Sequence, residues 1–299
     1  MSPAVMSPPL IRSAKSLYAS VPERERADDL FLDYLGFLDR RNGGVEGEDS
    51  FHLREAAMED MAQWEGHYSG KVDGERFNRL YAKYSPSADI SQDELALLAF
   101  AKVNAGEAYG VEVTSKARAH LMSRPEPIFR VERILAKEET FHTQILVGAA
   151  QHFEGLQVTG AWSPPMPLRV LIFCLAKFPP SLFHPVLLAA EISGVYTFNW
   201  LLQRLSTLFP NDPKIRESME RRLIEILIDE VGHVAYNRLA VGPKGLQFAK
   251  AMGAKVLEGN AINTPEIPAL GMDLNVRRQI ANFDFADLPE EVRRKAWFV

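Results

Sequence analysis

Glu138-Glu139-Thr140-Phe141-His142 and Asp229-Glu230-Val231-Gly232-His233 govern how the rest of this 299-residue chain is read. Each is an acid followed by Glu-x-x-His, and the motif glutamates stand 91 residues apart. Residues three apart share one face of an α-helix. Each motif therefore sets a carboxylate beside an imidazole, and two such motifs on facing helices form a set of donors able to hold two metal ions. The pattern asks for helices, so the first expectation is an all-α protein.

The surrounding sequence agrees with helices. Runs of alternating β-branched residues bounded by turn dipeptides do not recur, whereas helical periodicity does. Four long segments are expected. The first opens on the capping box Ser91-Gln92-Asp93-Glu94 and runs to about 122. The second follows Pro125 and Pro127 and runs to about 152. The third follows Pro179-Pro180-Ser181 and runs to about 208. The fourth begins after Asn211-Asp212-Pro213, with Asp212 as cap, and ends before Gly242-Pro243. Segments of roughly 27–32 residues suit a four-helix bundle. Residues 162 to 178 read as a long link with a proline-rich turn and a short apolar stretch, which allows a crossover connection. Residues 1–22 read as a loose leader. Weaker helices are expected at about 24–40, 50–66, 73–83 and 243–257. The whole chain reads as a single domain over 1–299, with its core at 91–241 and accessory helices in 1–90 and 242–299.

A bundle that binds two metals through paired Glu-x-x-His motifs needs one inward glutamate from each of the other two helices. Glu191 meets this need: Leu187, Leu188, Val195 and Phe198 surround it at helical spacing. An unpaired charge there would cost several kcal/mol. Glu107 has Val103, Val111 and Phe100 at similar spacing, with small neighbours Ala105, Gly106 and Ala108. The expected metal ligands are then Glu107, Glu139, His142, Glu191, Glu230 and His233. Four carboxylates neutralise two divalent ions, and oxygen-rich ligation with imidazole suits iron or manganese. Each residue also has a plainer reading. The Glu/His pairs could lie on a surface, Glu191 could be a salt-bridged core acid, and Glu138 and Asp229 could be solvated. Glu112 is a rival to Glu107, but Ser115 and Lys116 beside it point to a solvated face.

With these six residues in this order, residues 91–241 resemble the ferritin-like di-iron carboxylate proteins. That group includes p-aminobenzoate-type N-oxygenases, acyl-carrier-protein desaturases, multicomponent monooxygenases and ribonucleotide reductase small subunits. The resemblance implies a ferritin-like bundle with two iron ions (Fe/Fe or Mn/Fe) and O2 as co-substrate. It also implies an external electron donor and a small-molecule substrate, free or carried on a protein. Glu138 and Asp229 match the extra acid that, in the family, hydrogen-bonds a ligand histidine of the opposite helix. The chain departs from the family's subgroups at three positions. Gly194 and Val195 stand where desaturases and monooxygenases carry threonine. Ile226 stands where the N-oxygenases carry a further histidine. Gly194, Val195, Tyr196, Phe198 and His184 are candidates to line a substrate pocket. For the last three, core packing is the plainer reading, as it is for Tyr109, Tyr236, Phe141 and Trp200.

The expected function is a non-heme di-iron oxygenase that N-oxygenates or hydroxylates a small organic molecule. An acyl-carrier-protein-type desaturase is the second expectation. A ferroxidase or metal-handling bundle is the third, and a metal-free interaction bundle the fourth. Composition narrows the partners: a net charge of −5 without a basic block disfavours nucleic acid. The single cysteine, Cys174, fits a reducing cytoplasm and excludes cysteine-rich metal sites. The longest uninterrupted apolar run, Val170 to Ala176, is too short to span a bilayer. The N-terminus has no signal-peptide core. A homodimer is compatible with all of this.

Overall fold

A computed structural model describes residues 16–21, 27–64, 66–103, 105–158 and 164–299, with residues 105–107 described in backbone only. The protein is all-α, and no strand occurs among the described residues. The accessory N-terminal helices are α1 (Ala27–Asn42), α2 (His52–Ala62) and α3 (Gly74–Ala82). The first long segment is covered by α4 (Gln92–Val103) and α5 (Ala105–Met122), and residue 104 between them lies outside the described residues. Then come α6 (Pro127–Gly148), α7 (Met166–Ala176), α8 (Pro180–Leu208) and α9 (Pro213–Ala240). A one-turn 3₁₀ helix, Ala149–His152, follows α6. The C-terminal part holds α10 (Pro243–Asn263), α11 (Glu266–Ala269), α12 (Arg277–Ala281) and α13 (Glu290–Lys295).

Local chemistry places the ends of the long helices. Ser91 and Glu94 form the expected reciprocal cap: Glu94 N donates to Ser91 Oγ at 3.2 Å, and Ser91 N donates to Glu94 Oε2 at 3.4 Å. Proline occupies the first turn of α6, α7, α8, α9 and α10, where its missing N–H costs nothing. Asp212 precedes α9 but does not cap it. Its carboxylate accepts from Ser69 N at 2.8 Å and Ser69 Oγ at 3.1 Å, tying the loop before α3 to the start of α9.

The long helices pack around one another. α8 lies along α9, α5 along α6, α6 contacts α9, and α4 contacts both α6 and α8. The core between them is built from Leu188, Ile192, Val195, Phe198, Leu223, Ile226, Leu227 and Val231, all fully buried. α10 covers α8 from outside, α1 lies on α6 and α13 on α9. α8 is long and apolar enough to cross a membrane by length and composition, a property its sequence segments taken singly did not show. Here most of it is enclosed by α9 and α10.

Three expectations are corrected. Within the link at 162–178, residues 166–176 form a helix, α7, packed on α5. Pro165 and Pro167 begin that helix instead of forming only a turn. The helix expected at 50–66 is shorter: it spans His52–Ala62 and is preceded by Phe51 with φ 68°. The end of the leader is not loose. Leu17 and Tyr18 are buried, Leu17 N donates to Phe283 O at 3.1 Å, and Ser16 bridges to Asp284. Residues 1–15 lie outside the described residues.

Candidate metal centre

α6, α8 and α9 deliver the cluster. Glu138, Glu139 and His142 come from α6, Glu191 from α8, and Asp229, Glu230 and His233 from α9. Helical spacing of three sets Glu139 beside His142 and Glu230 beside His233. Glu139, Glu191, Glu230 and His233 each offer a donor atom, all within 4.8 Å of one another, a spacing that can hold a metal ion. His142 adjoins them, its Nδ1 3.3 Å from Glu139 Oε2 and 3.1 Å from Glu230 Oε1. His233 Nδ1 lies 3.0 Å from Glu139 Oε1 and 3.9 Å from both Glu191 and Glu230. The two imidazoles are nearly parallel, with centroids 5.7 Å apart. Glu107 sits in α5, but its side chain lies outside the described residues.

The other nitrogen of each imidazole is held across the bundle. His142 Nε2, from α6, is 3.0 Å from Asp229 Oδ2 of α9. His233 Nε2, from α9, is 3.2 Å from Glu138 Oε2 of α6. Each acid that precedes a motif thus orients the histidine of the other motif. A carboxylate at Nε2 fixes the ring orientation and leaves Nδ1 as the atom that faces the inner carboxylates.

The outer acids are held in turn by residues that no local pattern marks. Arg54 of α2 donates to Asp229 Oδ2 at 2.5 Å and lies 3.7 Å from Glu138 Oε1. Arg41 of α1 donates to Asp229 Oδ1 at 2.6 Å and to Glu225. Asn42 Nδ2 donates to Glu138 Oε1 at 2.8 Å, and Asn42 Oδ1 accepts from Arg54. The nearby cations are therefore engaged with the outer acids and Glu225. Tyr34 of α1 closes the same side. It is fully buried and stacks on Trp297 at 4.4 Å, and its hydroxyl has no partner among the described residues. Gly232, between Glu230 and His233, makes room for its ring.

Electrostatics follow from this layout. Burial drives the Glu191 carboxyl well above the usual range, and repulsion from Glu230 and Glu139 adds to the shift. Burial also pushes Glu139 up, but His142 and His233 together outweigh it and hold the group at about 2. Burial lowers both imidazoles, yet the surrounding carboxylates, Glu139 chief among them for His142 and Glu138 for His233, raise them well above the ordinary histidine value. Burial likewise raises Asp229, but Arg41 and Arg54 more than reverse this and keep it far below the carboxylate range. The interior thus calls for positive charge, which protons on the histidines or a bound cation can supply. Glu139 Oε2 and His142 Nδ1 have no hydrogen-bond partner among the described residues. Buried donors and acceptors are rarely left so, and Glu139 is one of the four residues whose donor atoms could hold a metal ion. The donor set fits a divalent metal.

The pocket candidates scatter. Gly194, Val195 and Phe198 are buried in α8. Tyr196 meets Phe283 edge-on at 5.4 Å. His184 is buried, 3.0 Å from Asn237 Oδ1 through Nδ1 and edge-on to Tyr236, and burial lowers its pKa. The hydroxyls near Glu191 are committed elsewhere: Ser193 donates to the carbonyls of Ala189 and Gly253, Thr197 to that of Ser193. Glu112 is exposed and paired with Lys116. An open groove lined by His67, Tyr68, Asp73, Asn78 and Phe153 shares no residue with the cluster.

Comparison of the chain with family models, with curated proteins and with solved structures found no match, so the cluster is read from its own geometry.

Proposed function

We propose that Glu139, His142, Glu191, Glu230 and His233, with Glu107 as the sixth donor of the sequence pattern, hold two iron ions in a ferritin-like bundle. On this reading the protein is a non-heme di-iron oxygenase that oxidises a small organic substrate by N-oxygenation or hydroxylation. The observation that carries the reading is the crossed pairing of His142 with Asp229 and of His233 with Glu138. An ordinary buried ion-pair network has no need for two imidazoles whose Nδ1 atoms both face one group of carboxylates.

Iron bound here would supply the capacity to activate dioxygen. The chain's own residues prepare for it. Asp229 and Glu138 hold the two Nε2 atoms, so that each Nδ1 faces the inner carboxylates, where it would bind the metal. Arg41 and Arg54 keep Asp229 ionised, and Asn42 fixes Glu138. Val195 and Phe198, one and two turns beyond Glu191 on α8, are fully buried and would help to keep bulk water from the site. Neither position 194 nor 195 carries a hydroxyl, so proton delivery on α8 differs from that implied by the desaturase and monooxygenase patterns. An external electron donor and O2 complete the reaction.

Oxygen uptake tests the reading. The full chain reconstituted with Fe(II) and supplied with a reductant consumes O2 in a substrate-dependent manner, and Glu139→Ala abolishes this. Undiminished turnover in Glu139→Ala would contradict the ligand assignment. Uptake that follows Fe(II) addition alone, whatever the organic substrate, would point to a ferroxidase.

A further inference from the structure

Apart from Arg169, α7 is built of apolar residues. Leu168, Ile172, Leu175 and Ala176 recur at helical spacing and form its less exposed face, and the helix packs on α5. Of the other positions, the apolar Met166, Val170, Leu171 and Phe173 stand out in solvent, Met166 65% exposed and Phe173 49%. The apolar surface continues through Phe178 into the first turn of α8, where Leu182 is 54% exposed. A surface helix normally turns a polar face outward, and an apolar one signals a second apolar environment.

Charge identifies that environment. The chain carries a net charge of −5, yet no Asp or Glu occurs between Glu154 and Glu191. The charged side chains of this stretch are Arg169 and Lys177, both exposed. Lys177 Nζ lies 4.1 Å over the Phe173 ring, and Arg169 Nε donates to Tyr109 Oη at 3.4 Å. Apolar side chains flanked by cations, in a stretch of chain without carboxylates, match the border between acyl chains and anionic headgroups. In a two-fold contact between copies, the same surface would bring Arg169 and Lys177 against their own kind. The 11 residues of α7 extend about 16 Å. That length lies along a bilayer surface and cannot cross it.

We propose that α7, continued by Phe178 and Leu182, is an interfacial anchor that docks the protein on anionic phospholipid surfaces. The inference is independent of the metal reading. Co-sedimentation of the full chain with phosphatidylcholine vesicles, with and without phosphatidylglycerol, tests it. The protein is expected to pellet with the mixed vesicles and less with phosphatidylcholine alone. Phe173→Asp, at a half-exposed position, is expected to lower partitioning about tenfold or more while leaving the circular-dichroism spectrum unchanged. The paired change Arg169→Glu and Lys177→Glu is expected to remove the preference for the anionic lipid. Ile262→Asp, 78% exposed on α10, is expected to leave binding unchanged. Failure to pellet with either vesicle, or equal pelleting of Phe173→Asp and the unaltered chain, would overturn the proposal. So would a stable dimer by light scattering, or a saturable complex with an acidic carrier protein, if Phe173→Asp abolished it while vesicle binding was absent.

Discussion

At the scale of single residues, the two acid-Glu-x-x-His stretches were legible because three-residue spacing on a helix fixes a shared face. Glu191 was legible as well, as a charge within an apolar stripe. Arg41, Asn42, Arg54 and Tyr34 were not. Nothing within a few residues of them announces a partner, and Arg41 meets Asp229 across 188 positions of sequence. Arg40-Arg41 at the end of α1 reads locally as cations placed for the helix dipole. Arg54 is nearly fully buried and holds both outer acids. Arg54→Met is expected to destabilise the protein by about 3–5 kcal/mol in denaturant titration, because Asp229 and Glu138 lose a buried counter-charge. It is also expected to weaken metal binding about 10–100-fold. Unchanged affinity would show that the histidines are oriented without it. Gly232 has a different task. A Cβ there would meet Tyr34 Oη and approach Cζ to 3.0 Å, and Tyr34 is pinned against Trp297. Gly232→Ala is expected to cost about 1–3 kcal/mol by the same titration.

Among the helices, those with caps, an opening proline and a patterned apolar face were readable, and their ends fall within a few residues of the expected positions. α7 was missed because apolar residues fill its exposed positions as well as its packed ones, so no alternation of apolar and polar faces marks it. The joining of distant elements was also hidden. Lys102 of α4 meets Glu266 of α11 at 2.6 Å in a buried pair, and burial raises the Glu266 pKa although Lys102 opposes it. Lys102→Met leaves that carboxylate without its cation and is expected to destabilise by about 3–5 kcal/mol in thermal or denaturant unfolding. Adding Glu266→Leu is expected to recover most of the loss, since replacing both partners of a buried pair with apolar residues is often near neutral. A double variant as unstable as the single one would show that the pair is needed for more than mutual neutralisation.

Over the whole molecule, the all-α fold and the grouping of Glu139, Glu191, Glu230 and His233 were readable from the chain, and the enclosing layer was not. α1 lies against α6 and α9, α13 against α9 and α2 on α1, and polar residues of α1 and α2 reach the outer acids. The accessory segments therefore help to build the centre as well as surround it. Two imidazoles and three inner carboxylates, backed by arginine-held acids, form an interior that could hold a metal ion. The most direct test is the number of metal ions bound per chain after anaerobic loading with Fe(II) and removal of excess. The account predicts two per chain for the unaltered protein and a marked loss in His142→Ala and His233→Ala. Fewer than one per chain, or equal loading in the two histidine variants, would contradict it.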